Sequence, residues 1–153
     1  MPKIFITGGS GFVGAHVARA FLAEGHEVTV FGPSTEPCLS AEDLKKMKFL
    51  KGSIAEASAV SHAIGTVHPD IVIGLAAFGG TGNGLLASAA SDGAAAISVN
   101  VQGFRHLLSA CIELPQSPKV IWASTFAVFG PASAYPNGVA DETSPENPKV
   151  FTD

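Results

Sequence analysis

Two hydrophobic rhythms alternate along the chain. Residues 3–9, KIFITGG, form a short, β-rich apolar run that ends in glycines. That pattern predicts a strand buried on both faces. Residues 11–25, GFVGAHVARAFLAEG, place Phe12, Val13, Val17, Ala20 and Phe21 at helical spacing and close on Gly25, a C-cap residue. HEVTVFG (26–32) predicts the second strand. SAEDLKKMK (40–48) predicts a short helix, with Ser40 as N-cap and Asp43 three residues on. FLKGS (49–53) predicts the third strand, 55–67 a further helix, and DIVIGLAA (70–77) a fully buried strand. A glycine-rich loop, FGGTGNG (78–84), and an alanine-rich stretch then lead into SVNVQGFRHLLSACIEL (98–114), a helix ended by Pro115. KVIWAST (119–125) predicts the fifth strand. From Ala127 onward the residues carry turn chemistry and no periodicity.

Strands that alternate with helices imply an α/β fold, a doubly wound parallel sheet with helices on both faces. About five strands are expected, in the order 3-2-1-4-5, with the switch point between strands 1 and 4. The 153 residues suit one domain and can bury a substantial core.

Composition changes this picture in one respect. Charged residues are only 14% of the chain, against about 25% in ordinary soluble domains. Either a doubly covered sheet buries many faces, or part of the nominal surface is normally covered by something else. The net charge is −4 and no Lys/Arg cluster resembles a phosphate-backbone footprint, which argues against nucleic acid as a partner. The N-terminal MPKIFITGG lacks the layout of a signal peptide, and no apolar run reaches a membrane span. Cys38 and Cys111 give neither a metal spacing nor a disulfide framework. The five histidines are scattered without ligand spacing, so no metal site is expected, and the cytoplasm is the expected compartment.

The first chemical signal is TGGSGFVG (7–14). It contains Gly8-x-x-Gly11-x-x-Gly14 and also G-x-G-x-x-G through Gly9, Gly11 and Gly14. It lies between a predicted strand and a predicted helix, the context that gives the pattern meaning. The chain must turn sharply there, which favours residues that tolerate positive φ. A pyrophosphate must approach the backbone, which excludes side chains. The free N–H groups and the dipole of the helix start then hold the anion. The competing reading is a tight βα turn without a ligand. A mononucleotide P-loop fits poorly, because no Gly-Lys-Ser/Thr follows.

At the end of strand two a carboxylate suits the ribose hydroxyls of NAD, and a basic residue suits NADP. This chain has VTVFGPST (28–35), with Gly32 where the acid would stand. Ser34 and Thr35 offer hydroxyls, and Glu36 stands further along. NAD and NADP both stay open as the dinucleotide.

The loop and the later segments together resemble the extended short-chain dehydrogenase/reductase family, the NAD(P)-dependent epimerases and dehydratases that act largely on nucleotide sugars. The likeness runs over the whole chain. The family pattern T-G-x-x-G-x-x-G matches Thr7 to Gly14. The family's Gly-Asp-Ile/Val after strand three is here Gly52-Ser53-Ile54, with the aspartate replaced. Its Leu-Ala-Ala after strand four is Leu75-Ala76-Ala77. Its Asn-Val-x-Gly followed by paired leucines is Asn100, Val101, Gly103, Leu107 and Leu108. Its Ser-Ser/Thr-x-x-Val-Tyr/Phe-Gly is residues 124–130, STFAVFG.

The resemblance implies a Rossmann-type fold and a set of cofactor-binding residues. These are Gly8, Gly9, Ser10, Gly11, Phe12, Val13, Gly14, Gly32, Pro33, Ser34, Ser53, Ile54, Leu75, Ala76, Ala77, Asn100, Ala123 and Ser124. It makes Thr125 the catalytic hydroxyl, able to donate to a substrate oxygen and orient it. A threonine there can equally bond only a nearby backbone group. Asn100 can likewise serve structure, cofactor, or both.

The family's acid/base is a Tyr with a Lys four residues later, the Lys keeping the tyrosine pKa low. The sole tyrosine here is Tyr135, in a Pro/Gly-rich loop with Val139 four places on, so it is not that residue. ADETSPENPKVFTD (140–153) fits the family's lead-in to the catalytic helix. The expectation is a cofactor-binding domain over residues 1–153, incomplete at its C-terminal end, that stops before the catalytic Tyr. It would be part of an oxidoreductase acting on a sugar-like or other hydroxylated substrate. The alternative is a non-catalytic dinucleotide-binding module. An edge left open at strand five invites a homodimer or edge-strand pairing. Three further expectations are structural. EDLKKMK (42–48) should be a solvated helix face with local charge pairs, and Trp122 should be core. FGGTGNG should be either a flap over the site or a plain connection.

Overall fold

Strand β1 (Lys3–Thr7) sits at the centre of the sheet and explains most of the core. Its residues alternate between the two faces, as strand geometry requires. Phe5 points to one side, among Phe31, Val72, Ile64 and Leu107. Ile4 and Ile6 point to the other, among Val28, Val30, Ala18 and Ile73. Both sides are sealed, which is why the run is apolar without interruption.

The computed structural model of the protein describes residues 1–35, 37–79 and 92–146. They fall into two compact units, Met1–Trp122 and Ala123–Asp153. The first holds five parallel strands in the order β3-β2-β1-β4-β5. Besides β1 these are β2 (Glu27–Gly32), β3 (Lys48–Lys51), β4 (Ile71–Gly74) and β5 (Lys119–Trp122). Phe5 registers beside Thr29 on one side and Val72 on the other. The expected order and switch point are therefore those observed.

Boundaries differ where tertiary contacts intervene. Strand β4 was expected to run to Ala77 but ends at Gly74. Leu75 keeps one bond, its N–H donating to the Thr7 carbonyl at 3.0 Å, and the next residues then leave the sheet. The helix expected over 40–48 is the short α2 (Ala41–Leu44). Its capping box is formed: Ser40 Oγ accepts from the Asp43 N–H, and the Asp43 carboxylate accepts from the Ser40 N–H. Met47, which is buried, turns the chain toward β3 instead of prolonging the helix.

Helix α1 (Phe12–Ala23) presents Gly14, Ala15 and Ala18 to the sheet, small residues that permit a close approach. Helix α3 (Ala57–Val67) ends on His68 in the left-handed region, at φ 47°. The helix expected over 98–114 begins earlier, as α4 (Gly93–Ile97), with Asp92 capping it by accepting from the Ala95 N–H. It widens into a π turn at Ser98–Gln102 and continues as α5 (Gly103–Ile112). Trp122 is half-buried against the first core cluster, its ring centroid 4.5 Å from that of Phe104. Glu36, residues 80–84 of the glycine-rich loop and residues 147–153 lie outside the described residues.

Among the described residues of the second unit, the expected turn chemistry takes the form of three single 3-10 turns, Phe126–Phe129, Ala132–Ala134 and Pro136–Gly138. Tyr135 is buried there, with its hydroxyl on the backbone carbonyls of Phe129 and Pro145. Asp141 binds the Thr143 and Ser144 hydroxyls, which hold its carboxyl below the ordinary range. Among the described residues no helix is long and apolar enough to cross a membrane.

Candidate functional site

Parallel strands all deliver their C-terminal ends to the same edge of the sheet, so the loops that follow β1, β2, β3 and β4 converge. They enclose a cleft of about 380 Å³. Its walls bring together Gly8, Ser10 and Gly11 after β1, and Gly32 and Pro33 at the end of β2. Ser53 and Ile54 come from the loop after β3, and Leu75, Ala76 and Ala77 from the segment that left β4.

The turn after β1 is shaped for close approach. Gly8 has φ +70°, and a Cβ there would fall 2.6 Å from the Ala76 nitrogen. A side chain at Gly14 would run into the Gly8 carbonyl and, at 2.6 Å, the Gly9 Cα. The loop is thus packed backbone against backbone, and only glycine permits it. Gly11, in extended conformation, is the N-cap of helix α1, and no side chain caps the first turn. The first-turn amides therefore face the loop without a side-chain acceptor, the arrangement that suits an anion. Those features fit the pyrophosphate of a dinucleotide.

The remaining expected residues divide into four groups. Gly9 and Gly14 lie beneath the turn, buried. Phe12 and Val13 are 75% and 59% exposed, and with Ser34 they are outside the cleft wall. Asn100, in the π turn, accepts a 2.8 Å hydrogen bond from the Phe78 N–H through its Oδ1. Phe78 itself lines the cleft, so Asn100 fixes part of the wall from behind. Ala123, Ser124 and Thr125 belong to the second unit, where all three are exposed. The Thr125 carbonyl accepts from the Val128 N–H at 3.4 Å, opening the turn that follows.

Some of the wall was not legible from motifs. Phe31, Pro37, Phe78, Gly79 and Val99 also line it. Phe31 is buried and stacked on Phe5 at 5.7 Å, and its place one residue before Gly32 was the available signal. No described lining residue carries a charge. The charges nearby in sequence are engaged with each other: Arg19 forks onto Asp43 at 3.0 and 2.7 Å and also donates to the Cys38 carbonyl at 2.7 Å. The Arg19 guanidinium, with the Ser40 donors, holds the Asp43 carboxyl far below the ordinary range. The expectation of a wholly solvated face at 42–48 is therefore corrected. Glu42 and Lys45 form the local surface pair at 2.6 Å, whereas Asp43 is tied to another helix. Cys111 is buried and its thiol is pushed up to about 11 by desolvation.

A doubly wound parallel sheet with a glycine turn at its switch point defines the class of nucleotide-binding α/β proteins. Within that class the chain belongs to the NAD dependent epimerase/dehydratase family, whose model matches residues 4–150. It is similar to the UDP-glucose 4-epimerase of Halalkalibacterium halodurans, at 28% identity over 95% of this chain and 41% of the relative. It is also similar to the CDP-paratose 2-epimerase of Salmonella typhi, at 27% identity over 87% of this chain and 39% of the relative. Among solved structures, the UDP-glucose 4-epimerase of Thermus thermophilus in complex with NAD superimposes with a TM-score of 0.79 and 29% identity. That match covers 96% of this chain and 45% of the other. The chain thus spans less than half the length of these relatives.

Proposed function

We propose that this chain is the dinucleotide-binding portion of an epimerase/dehydratase-type oxidoreductase acting on a hydroxylated, sugar-like substrate. The observation that carries the reading is the glycine turn, closed against Ala76 and opening the uncapped start of α1 into a cleft. The first-turn amides and the glycine backbone would hold the pyrophosphate, and Ser53, Ile54 and Leu75–Ala77 would flank the nucleosides. The bound dinucleotide would supply the nicotinamide that accepts or returns hydride. Thr125 would orient a substrate hydroxyl, by its position in the STFAVFG segment. The relatives named above, two of them UDP-glucose 4-epimerases, support a nucleotide-sugar substrate.

A second reading, a binding module without turnover, draws on Tyr135. Its hydroxyl is committed to two backbone carbonyls and its i+4 neighbour is Val139, so it supplies no Tyr-Lys pair. Binding of NADH to this chain, followed by its fluorescence, tests the shared core of both readings. A saturable signal is expected, lost in a folded Gly14→Val variant. Equal binding by that variant would remove the glycine turn from the account. Epimerase turnover by this chain alone is expected to be absent, and measurable turnover would overturn the division of labour proposed here.

A further inference from the structure

The connection between β2 and α2 carries part of the cleft wall, Pro33 and Pro37, and a side chain outside the cleft holds it in place. Arg19 stands on α1, about two turns beyond the glycine turn, and does not line the cleft. Its Nε donates to Asp43 Oδ1 at 3.0 Å. Its Nη2 has two protons, one for Asp43 Oδ2 and one for the Cys38 carbonyl, each at 2.7 Å. Cys38 is held at its other backbone group as well, its N–H donating to the Ser10 carbonyl at 3.1 Å. The residue that follows Pro37 is thus tied at both ends to one piece of structure, the glycine turn and the helix it opens. The Asp43 fork fixes the plane of the guanidinium, which leaves the second Nη2 proton aimed at the loop.

We propose that Arg19 is a positioning residue of the cleft: through the Cys38 carbonyl it holds the wall after β2 in register with the start of α1 before a ligand arrives. The gain is preorganisation. A wall already fixed in its bound geometry does not have to be ordered when the dinucleotide binds. Folding stability alone accounts for less of the arrangement. An ion pair whose arginine side chain is 41% exposed contributes modestly to folding, and the third bond goes to a loop carbonyl that water could serve. The inference rests on the dinucleotide reading above and adds to it a residue that shapes the site without touching the ligand.

The test is calorimetric titration of NAD into the chain and into Arg19→Met, Arg19→Lys and Ile4→Val. Circular dichroism and a melting curve check that each variant is folded. Ile4, fully buried near the other end of β1, supplies a destabilised variant whose loop is intact. Arg19→Met is expected to weaken NAD roughly 3- to 10-fold, the cost of ordering a few loop residues on binding. Arg19→Lys keeps the charge but cannot fork onto Asp43 and reach Cys38 together, so it is expected to recover at most part of that loss. Ile4→Val is expected to bind NAD like the wild-type chain. Amide hydrogen exchange gives a second readout: in both Arg19 variants the Cys38 N–H should exchange faster, by a larger factor than that of Ile6 in the centre of the sheet. Full NAD affinity in folded Arg19→Met overturns the assignment. So does full affinity in Arg19→Lys, because charge without the fork would then suffice. An equal loss in Ile4→Val, or Cys38 exchange that rises no more than that of Ile6, reduces the effect to stability and overturns it too. Should neither Arg19 variant fold, the wild-type chain decides: NAD is expected to slow exchange at Cys38, and no slowing overturns the assignment. Failure of the wild-type chain to bind NAD would sink the broader reading as well. NAD binding that ignores Arg19 sinks this inference alone.

Discussion

Gly8 illustrates how much one residue decides. Its φ of +70° lies where a side chain is strained, and the neighbouring backbone leaves no room for a Cβ. Gly8→Ala is expected to destabilise the fold by at least about 2 kcal/mol and to abolish dinucleotide binding, as read by denaturant melts and titration. Gly32 is the opposite case. Its φ is not in the left-handed region, and a Cβ there meets nothing closer than 3.8 Å. Gly32→Asp is therefore expected to fold normally and to raise the NAD-over-NADP affinity ratio by about tenfold, since the new carboxylate repels a 2′-phosphate. An unchanged ratio would place the ribose elsewhere. The glycines were legible in the sequence because their spacing follows directly from the turn they make. Ser10 was legible only as a member of that loop. Its place in the cleft wall, with its carbonyl held by the Cys38 N–H and its hydroxyl facing Gly32, depends on residues far along the chain, and spacing says nothing about them.

At the scale of elements, strand and helix identities followed from hydrophobic rhythm, and their ends did not. Strand β4 stops at Gly74 because the next residues are drawn off to form the cleft, a tertiary effect that apolar content cannot reveal. The π turn at Ser98–Gln102 was equally hidden, and it carries Asn100 to the Phe78 N–H. Such turns recur at functional sites. The Arg19–Asp43 fork joins α1 to α2 across 24 positions of sequence, and local charge spacing mistook half of it for a solvated pair. Its pH dependence has a definite sign. Asp43 titrates below its ordinary value of 3.8 in the folded chain, so its stabilisation is complete above that value. It is lost as pH falls through the depressed folded pKa. Melting temperatures of the wild-type chain and Asp43→Asn are expected to differ at neutral pH and to converge in strong acid. A constant gap would mean that the carboxylate charge contributes nothing. Leu107, fully buried where α5 meets the sheet, is expected to cost about 2–5 kcal/mol on truncation to Ala.

At the scale of the molecule, the sheet order brings four loops to one edge and so makes the cleft from residues spread between 8 and 99. The low charge content has part of its explanation in β1, sealed on both faces by two separate core clusters. The rest is visible as apolar residues that stay exposed, Ile97, Val101, Ile112 and Ile121 among them. The central claim is that the switch-point cleft holds a dinucleotide through the glycine turn. Backbone amide shifts in an NMR titration with NAD test it most directly. The account predicts saturable shifts concentrated in Gly8–Gly14, Gly32–Ser34 and Leu75–Ala77. Shifts confined to the opposite edge of the sheet, around His68–Asp70 and Gln116–Ser117, or no shifts at saturating NAD, would contradict it.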